Sequence, residues 1–133
     1  MIDAFVLYAD GASRGNPGPA SIGAVLYDPD GAVCSEVSEA IGETTNNVAE
    51  YRAVIAGMEA ALEVGAERLQ VRLDSLLLVR QIRGEYRVKA PGLKPLHRRA
   101  IALMARFPVF SIEHVRREKN TVADGLANAA LDA

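Results

Sequence analysis

The sequence contains a single cysteine, Cys34, so it can close no internal disulfide and offers no thiolate companion for a zinc site. A buried or half-buried structural thiol is expected there, without redox chemistry. Long apolar runs are missing too: nothing approaches the roughly 18 residues that a membrane span requires. The opening Met1-Ile2-Asp3 has neither the basic start nor the apolar stretch of a signal peptide, and a cytoplasmic protein is expected. Charge of one sign is scarce, with 15 basic against 17 acidic residues and a net of −2, so bulk charge points to no polyanionic partner. Repeats, low-complexity tracts and linkers are absent. The 133 residues, half of them hydrophobic, suit one domain spanning 1–133 with a core of its own.

What is present is a series of apolar segments punctuated by turn formers. Phe5-Val6-Leu7-Tyr8-Ala9 is apolar on both alternating faces and predicts a central strand, roughly 3–10. Strands follow at about 20–28 and 31–40, joined by the turn Pro29-Asp30-Gly31, and the three form an antiparallel meander. A long helix is predicted at 45–64, a strand at 68–73, a helix at 75–83, a Pro/Gly-containing connection at 84–95 and a helix at 95–106. A last strand at 109–116 and a helix at 121–131 close the chain. Strand, helix, strand, helix, strand requires crossovers, so strands one, four and five are expected to be parallel. The fold class is therefore α/β, a mixed five-stranded sheet of three antiparallel and two parallel strands with helices on both faces.

Four acids fall at positions with a special relation to these elements. Asp10 ends the first strand, directly before the turn-forming stretch Gly11 to Pro19. Glu50 lies in the first turns of the long helix and shares a face with Ala53 and Val54, where a carboxylate is costly unless paired or bound to a cation. Asp74 follows the fourth strand, and either it or Ser75 can cap the next helix. Asp124 opens the last helix, where the helix dipole also favours an acid. Each acid taken alone has an ordinary structural use as turn, cap or first-turn residue. If they converge, like charges repel unless a cation intervenes, and hard oxygen ligands suit Mg²⁺ or Mn²⁺ and suit zinc poorly.

The flanks of the four acids give them a common meaning. Tyr-Ala-Asp-Gly and Arg-Gly-Asn-Pro-Gly-Pro within 8–19, Thr-Thr-Asn-Asn-Val-Ala-Glu-Tyr at 44–51, Asp-Ser at 74–75 and Asn-Thr-Val-Ala-Asp-Gly-Leu-Ala-Asn at 120–128 occur in that order. Over nearly its whole length the chain resembles the type 1 ribonuclease H family. The resemblance implies a single ribonuclease H domain that hydrolyses the RNA strand of RNA/DNA hybrids, leaving 5′-phosphate and 3′-hydroxyl ends. It implies two Mg²⁺ or Mn²⁺ ions, about 3.5–4 Å apart, clamping an in-line displacement. Asp10 is then expected to bridge both ions, Asp124 to help hold the one that activates water, and Glu50 with Asp74 to hold the one facing the leaving group.

Recognition is expected to rest on the 2′-hydroxyl and minor-groove shape, with little base reading. Candidate substrate contacts are the loop Gly11, Ser13, Arg14, Gly15 and Asn16, then Thr45, Asn46 and Asn47, and Gln81, two helical turns after Asp74. Thr45 matches a family position on a DNA-strand phosphate.

Four departures from better-known members stand out. Only Gly84 to Leu96 replaces a long basic helix and loop, so weaker hybrid binding is expected. Glu43 and Leu76 occupy places where some relatives have a phosphate-binding arginine and a minor-groove glutamine. The loop before Asp124 lacks a mobile histidine; His114 reads as part of a strand, leaving Arg116 or Arg117 to assist. The competing functions are a non-catalytic hybrid- or duplex-binding module and a nuclease of the same fold that also cuts double-stranded RNA. No obligatory protein partner is evident.

Overall fold

A computed structural model describes residues 4–133, so the expected strand start at residue 3 lies outside the described residues. Three strands open the chain: β1 (Phe5–Ser13), β2 (Gly18–Tyr27) and β3 (Val33–Thr44). After them come α1 (Asn46–Glu63), β4 (Arg68–Leu73), α2 (Leu76–Ile82), α3 (Lys94–Met104) and β5 (Val109–His114). A 3-10 turn at Arg117–Lys119 leads into α4 (Thr121–Asp132). The strands form one sheet in the order β3-β2-β1-β4-β5. β1 pairs antiparallel with β2 and parallel with β4, β2 pairs antiparallel with β3, and β4 pairs parallel with β5. The α/β class, the meander and the parallel crossovers are as the sequence predicts, with β4 at the predicted residues.

The two faces of the sheet are covered by different helices. Odd-numbered β1 residues such as Leu7 and Ala9 point toward α1 and are fully buried, together with Val71 and Leu73 of β4 and Tyr51 and Val54 of α1. Opposite them α4 lies across β1, β2 and β3. It approaches so closely at Gly23 that a Cβ there would lie 2.2 Å from the Ala123 carbonyl oxygen. Ser21 Oγ donates to the Ala127 carbonyl at 2.5 Å and ties the two elements together. No helix among the described residues is long and apolar enough to cross a membrane.

Two expectations need correction. β1 does not stop at Asp10: Gly11, Ala12 and Ser13 continue the ladder opposite Ile22, Ser21 and Ala20. Small residues that read as a turn can equally extend a strand where another element packs close, and the true reversal is only Arg14 to Pro17, closed by Arg14 N–H to Pro19 O at 2.8 Å. Cys34 is exposed, because β3 is an edge strand with neither face fully covered at that end.

Tyr51 shows how the interior handles a polar group. Its ring is fully buried, its hydroxyl donates to Gln81 Oε1 at 2.6 Å, and burial pushes its pKa up to about 12. Tyr51→Phe leaves the buried Gln81 oxygen without its donor and should lower stability by about 1–2 kcal/mol, read from urea denaturation midpoints. Unchanged midpoints would show that another donor reaches Gln81.

Candidate active site

Neighbouring parallel strands bring the first two acids together. Ala9 and Leu73 are register partners, so Asp10 and Asp74, one residue further along, emerge side by side. Ser75, with its Oγ 3.3 Å from Leu78 N–H, is the N-cap of α2, and Asp74 is thereby left free of capping duty. Glu50 projects from α1 over Gly11, whose N–H donates to Oε1 at 3.3 Å. That approach depends on glycine: a Cβ at position 11 would lie 2.3 Å from the Ala49 carbonyl carbon and the Glu50 nitrogen. Carboxylate oxygens of Asp10, Glu50 and Asp74 lie within 4.8 Å of one another. Asp124, in the first turn of α4, lines the same cavity of about 410 Å³ but stands outside this tight triad.

The electrostatics of the cluster are unfavourable as it stands. Asp10 is 6 % and Glu50 4 % exposed. Burial raises the Asp10 pKa far above the carboxylate range, with the neighbouring Glu50 and then Asp74 adding to it. Burial also raises that of Glu50; hydrogen bonds involving Asp10 and Gly11 oppose the rise, while Asp74 and Asp124 reinforce it. Glu50 Oε2 is buried with no hydrogen-bond partner. Converging hard oxygens with an orphaned carboxylate oxygen among them fit a divalent cation of the Mg²⁺ or Mn²⁺ type, which would supply the missing counter-charge.

The remaining candidate residues divide by position. Gly11, Ser13, Arg14, Asn46 and Arg117 line the acidic cavity. Ser13 Oγ donates to the carbonyls of Gly15 and Thr44, and Arg14 pairs with Asp132 at 2.5 Å on the surface. Asn16 Oδ1 accepts from Asn46 N–H at 3.0 Å, which joins the β1–β2 turn to the start of α1. Gly15 takes up a φ of +103° in that turn. Asn46 and Asn47 are exposed, whereas Thr45 is the N-cap of α1 and accepts from Val48 N–H at 3.3 Å. Arg116 is exposed and precedes the 3-10 turn.

Gln81 does not line the acidic cavity: its side chain is buried, its Oε1 accepts from Tyr51, and it borders a separate cavity with Tyr86, Arg87 and His97. Helical spacing from Asp74 gave it an outward direction, but Asp74 lies before the helix begins at Leu76. Two asparagines escaped notice. Asn128 Nδ2 donates to the Asp124 carbonyl at 3.1 Å and lines the cavity, and Asn120 is buried between Ala9 and Asp74. Their signal was the motif at 120–128. A larger cavity, about 470 Å³, is lined by Tyr8, Tyr27, Gln70, Arg72 and Val122. Its lining holds a single acid, Asp28, whereas the acid triad faces the smaller cavity.

Comparison with known proteins agrees with this geometry. Residues 8–130 match the family described as reverse transcriptase-like. The N-terminal RNase H domain of Rv2228c from Mycobacterium tuberculosis superposes with a TM-score of 0.94 at 48 % identity, over 97 % of this chain and 99 % of that one. Ribonuclease HI of Halobacterium salinarum is 47 % identical over 94 % of this chain and 63 % of its own length. The chain belongs to the type 1 ribonuclease H family. A further ribonuclease H, LC11-RNase H1, solved in complex with an RNA/DNA hybrid, superposes with a TM-score of 0.90 at 45 % identity over 96 % of each chain. The chain spans about a third of the full-length mycobacterial relatives, 35 % of the bifunctional protein Rv2228c of M. tuberculosis. In this member of the family the segment 83–93 between α2 and α3 contains no helix, in keeping with the short form that lacks a basic protrusion.

Proposed function

We propose that this chain, acting as one ribonuclease H domain, cleaves the RNA strand of RNA/DNA hybrids and leaves 5′-phosphate and 3′-hydroxyl ends. The observation that carries this reading is the meeting of the Asp10, Glu50 and Asp74 carboxylates within 4.8 Å, with Asp124 on the same cavity wall. These four acids would hold two Mg²⁺ or Mn²⁺ ions. Bound there, divalent ions supply Lewis-acid stabilisation of the attacked phosphate and of the leaving 3′ oxygen.

The protein's own groups do the rest. Glu50, anchored by Gly11 N–H, and Asp74, freed by the Ser75 cap, are aimed before substrate arrives, so little reorganisation is needed at reaction. Asn46 lines the cavity, Asn16 is bonded to its N–H and the exposed Asn47 follows it, so the three can meet sugar hydroxyls and base edges in a minor groove. Arg117 brings a permanent positive charge to the acidic cavity; it can neutralise phosphate but cannot shuttle protons near neutral pH. Arg117→Ala should slow turnover by about tenfold with smaller loss for Arg116→Ala, because a solvated charge pair contributes on the order of 1 kcal/mol. Equal rates in wild type and both variants would remove arginine from the reaction.

The deciding test is cleavage of an end-labelled RNA/DNA hybrid in Mg²⁺ or Mn²⁺, beside DNA duplex, RNA duplex and single strands, with EDTA as control. Cutting confined to the hybrid's RNA strand and lost with EDTA is the expected result. Cutting of RNA duplex as well would widen the substrate class. Binding of hybrid without any cutting would establish a non-catalytic module.

A further inference from the structure

Asn120 is 1 % exposed and belongs to none of the acid positions, yet it touches the supports of three of them. Its Nδ2 donates to the Ala9 carbonyl at 3.0 Å, immediately before Asp10, and to Asp74 Oδ2 at 3.2 Å. Its own backbone carbonyl accepts from Asp124 N–H at 3.1 Å. One residue thus connects the middle of β1, the end of β4 and the first turn of α4.

The orientation of the amide is fixed by chemistry. Both partners of Nδ2 are acceptors, so turning the amide over would set Oδ1 against a carbonyl and a carboxylate. Oδ1 itself is buried without a partner. A side chain that leaves its acceptor unsatisfied in order to place its donor is costly as packing alone, and the donor is where its use lies.

Resting on the reading of the acidic cavity as a divalent-metal site, we propose that Asn120 is a positioning residue for metal binding. By holding Asp74 Oδ2 it sets the plane of that carboxylate and directs the other oxygen toward Asp10 and Glu50. By holding the Ala9 carbonyl it keeps the backbone next to Asp10 in register with Asp74. A neutral donor suits this place, since it orients a carboxylate without competing with a cation for the cluster's charge.

The test is calorimetric titration of Mn²⁺ into wild type, Asn120→Ala and Asn120→Ser without nucleic acid, together with metal-free thermal denaturation and turnover as a function of Mn²⁺ concentration. Loss of a group that orients a ligand should weaken Mn²⁺ binding by about 10–100-fold. Turnover should fall at low Mn²⁺ and recover in part at high Mn²⁺, with KM for the hybrid nearly unchanged. Asn120→Ser keeps a polar group that a water can extend, and it serves as the readout should the alanine protein not fold. A folded variant that binds Mn²⁺ as wild type does, even with lowered melting temperature, would make Asn120 purely structural and overturn the proposal. Wild type that binds no Mn²⁺ would instead remove the metal reading beneath it.

Discussion

Asp10→Asn should abolish cleavage and, in the same protein, raise the melting temperature measured without metal. Asp10 is buried against two other carboxylates, and its charged form is opposed first by burial and then by Glu50 and Asp74. An amide of the same shape is neutral at every pH, so folding need neither protonate this side chain nor hold its charge against Glu50 and Asp74, and it removes a ligand oxygen from the cluster. The gain in metal-free stability should be about 2 kcal/mol, a rise on the order of 5 °C or more for a domain of this size. The loss in rate should be about a thousandfold or greater, corresponding to roughly 4 kcal/mol of transition-state stabilisation. Asp74→Asn should lose cleavage to a similar degree with a smaller stability gain, because Asp74 is only half-buried. Hybrid binding should survive in both.

The pH dependence has a definite sign. Asp10 and Glu50 have folded pKa values raised above their unfolded ones, so the folded state binds protons more tightly. Metal-free stability from these two groups is therefore fullest below about pH 4 and is lost as pH rises through the folded values. The difference in melting temperature between Asp10→Asn and wild type in EDTA should grow from pH 4 to pH 8, and millimolar Mg²⁺ should stabilise wild type alone. A variant that melts below wild type at pH 8, or that still cuts hybrid, would overturn this account of the cluster.

The fold was legible because its largest signals are periodic. The two-sided apolar run before Asp10 and the alternation of Leu69, Val71 and Leu73 predict strands whose partners follow from crossover rules. The four acids were legible as a group only through their flanking motifs, since each has a local use; the structure separates those uses by giving the α2 cap to Ser75 and the α1 cap to Thr45. What stayed hidden depends on contacts between distant segments. The extension of β1 through Ser13 is written in the same small residues that write a turn, and only packing against α1 decides between them. The buried pairing of Gln81 with Tyr51 spans 30 positions, and that of Asn120 with Ala9 spans 111. No periodicity reports such pairs.

Gly11→Ala and Gly23→Ala should be strongly damaging single-methyl additions, because each drives a Cβ into helix backbone. At Gly11 the new Cβ would lie 2.3 Å from the backbone of Ala49 and Glu50, and at Gly23 it would lie 2.2 Å from the Ala123 carbonyl oxygen and 2.5 Å from Ala127 N. The nearest clashing atoms are helix backbone and a methyl group has no rotamer through which to escape, so a helix must retreat from the sheet. We expect each to cost about 3 kcal/mol or more, lowering the melting temperature by about 10 °C or more. The functional consequences should differ in kind. Retreat of α1 carries Glu50 away from Asp10 and Asp74 and breaks its bond to the residue 11 N–H, so surviving Gly11→Ala protein should bind Mn²⁺ weakly. Retreat of α4 carries Asp124, Asn128 and the N-cap Asn120, so turnover should fall, while metal affinity should fall only as far as the Asn120 bond to Asp74 is lost. Gly125→Ala is the matched control: it neighbours Asp124 in the same helix, meets nothing within 4 Å, and should raise stability by about 0.5–1 kcal/mol through helix propensity alone. Wild-type stability in Gly11→Ala or Gly23→Ala would mean that the helices are not seated on the sheet by glycine, and the placement of Glu50 and Asp124 would need another cause.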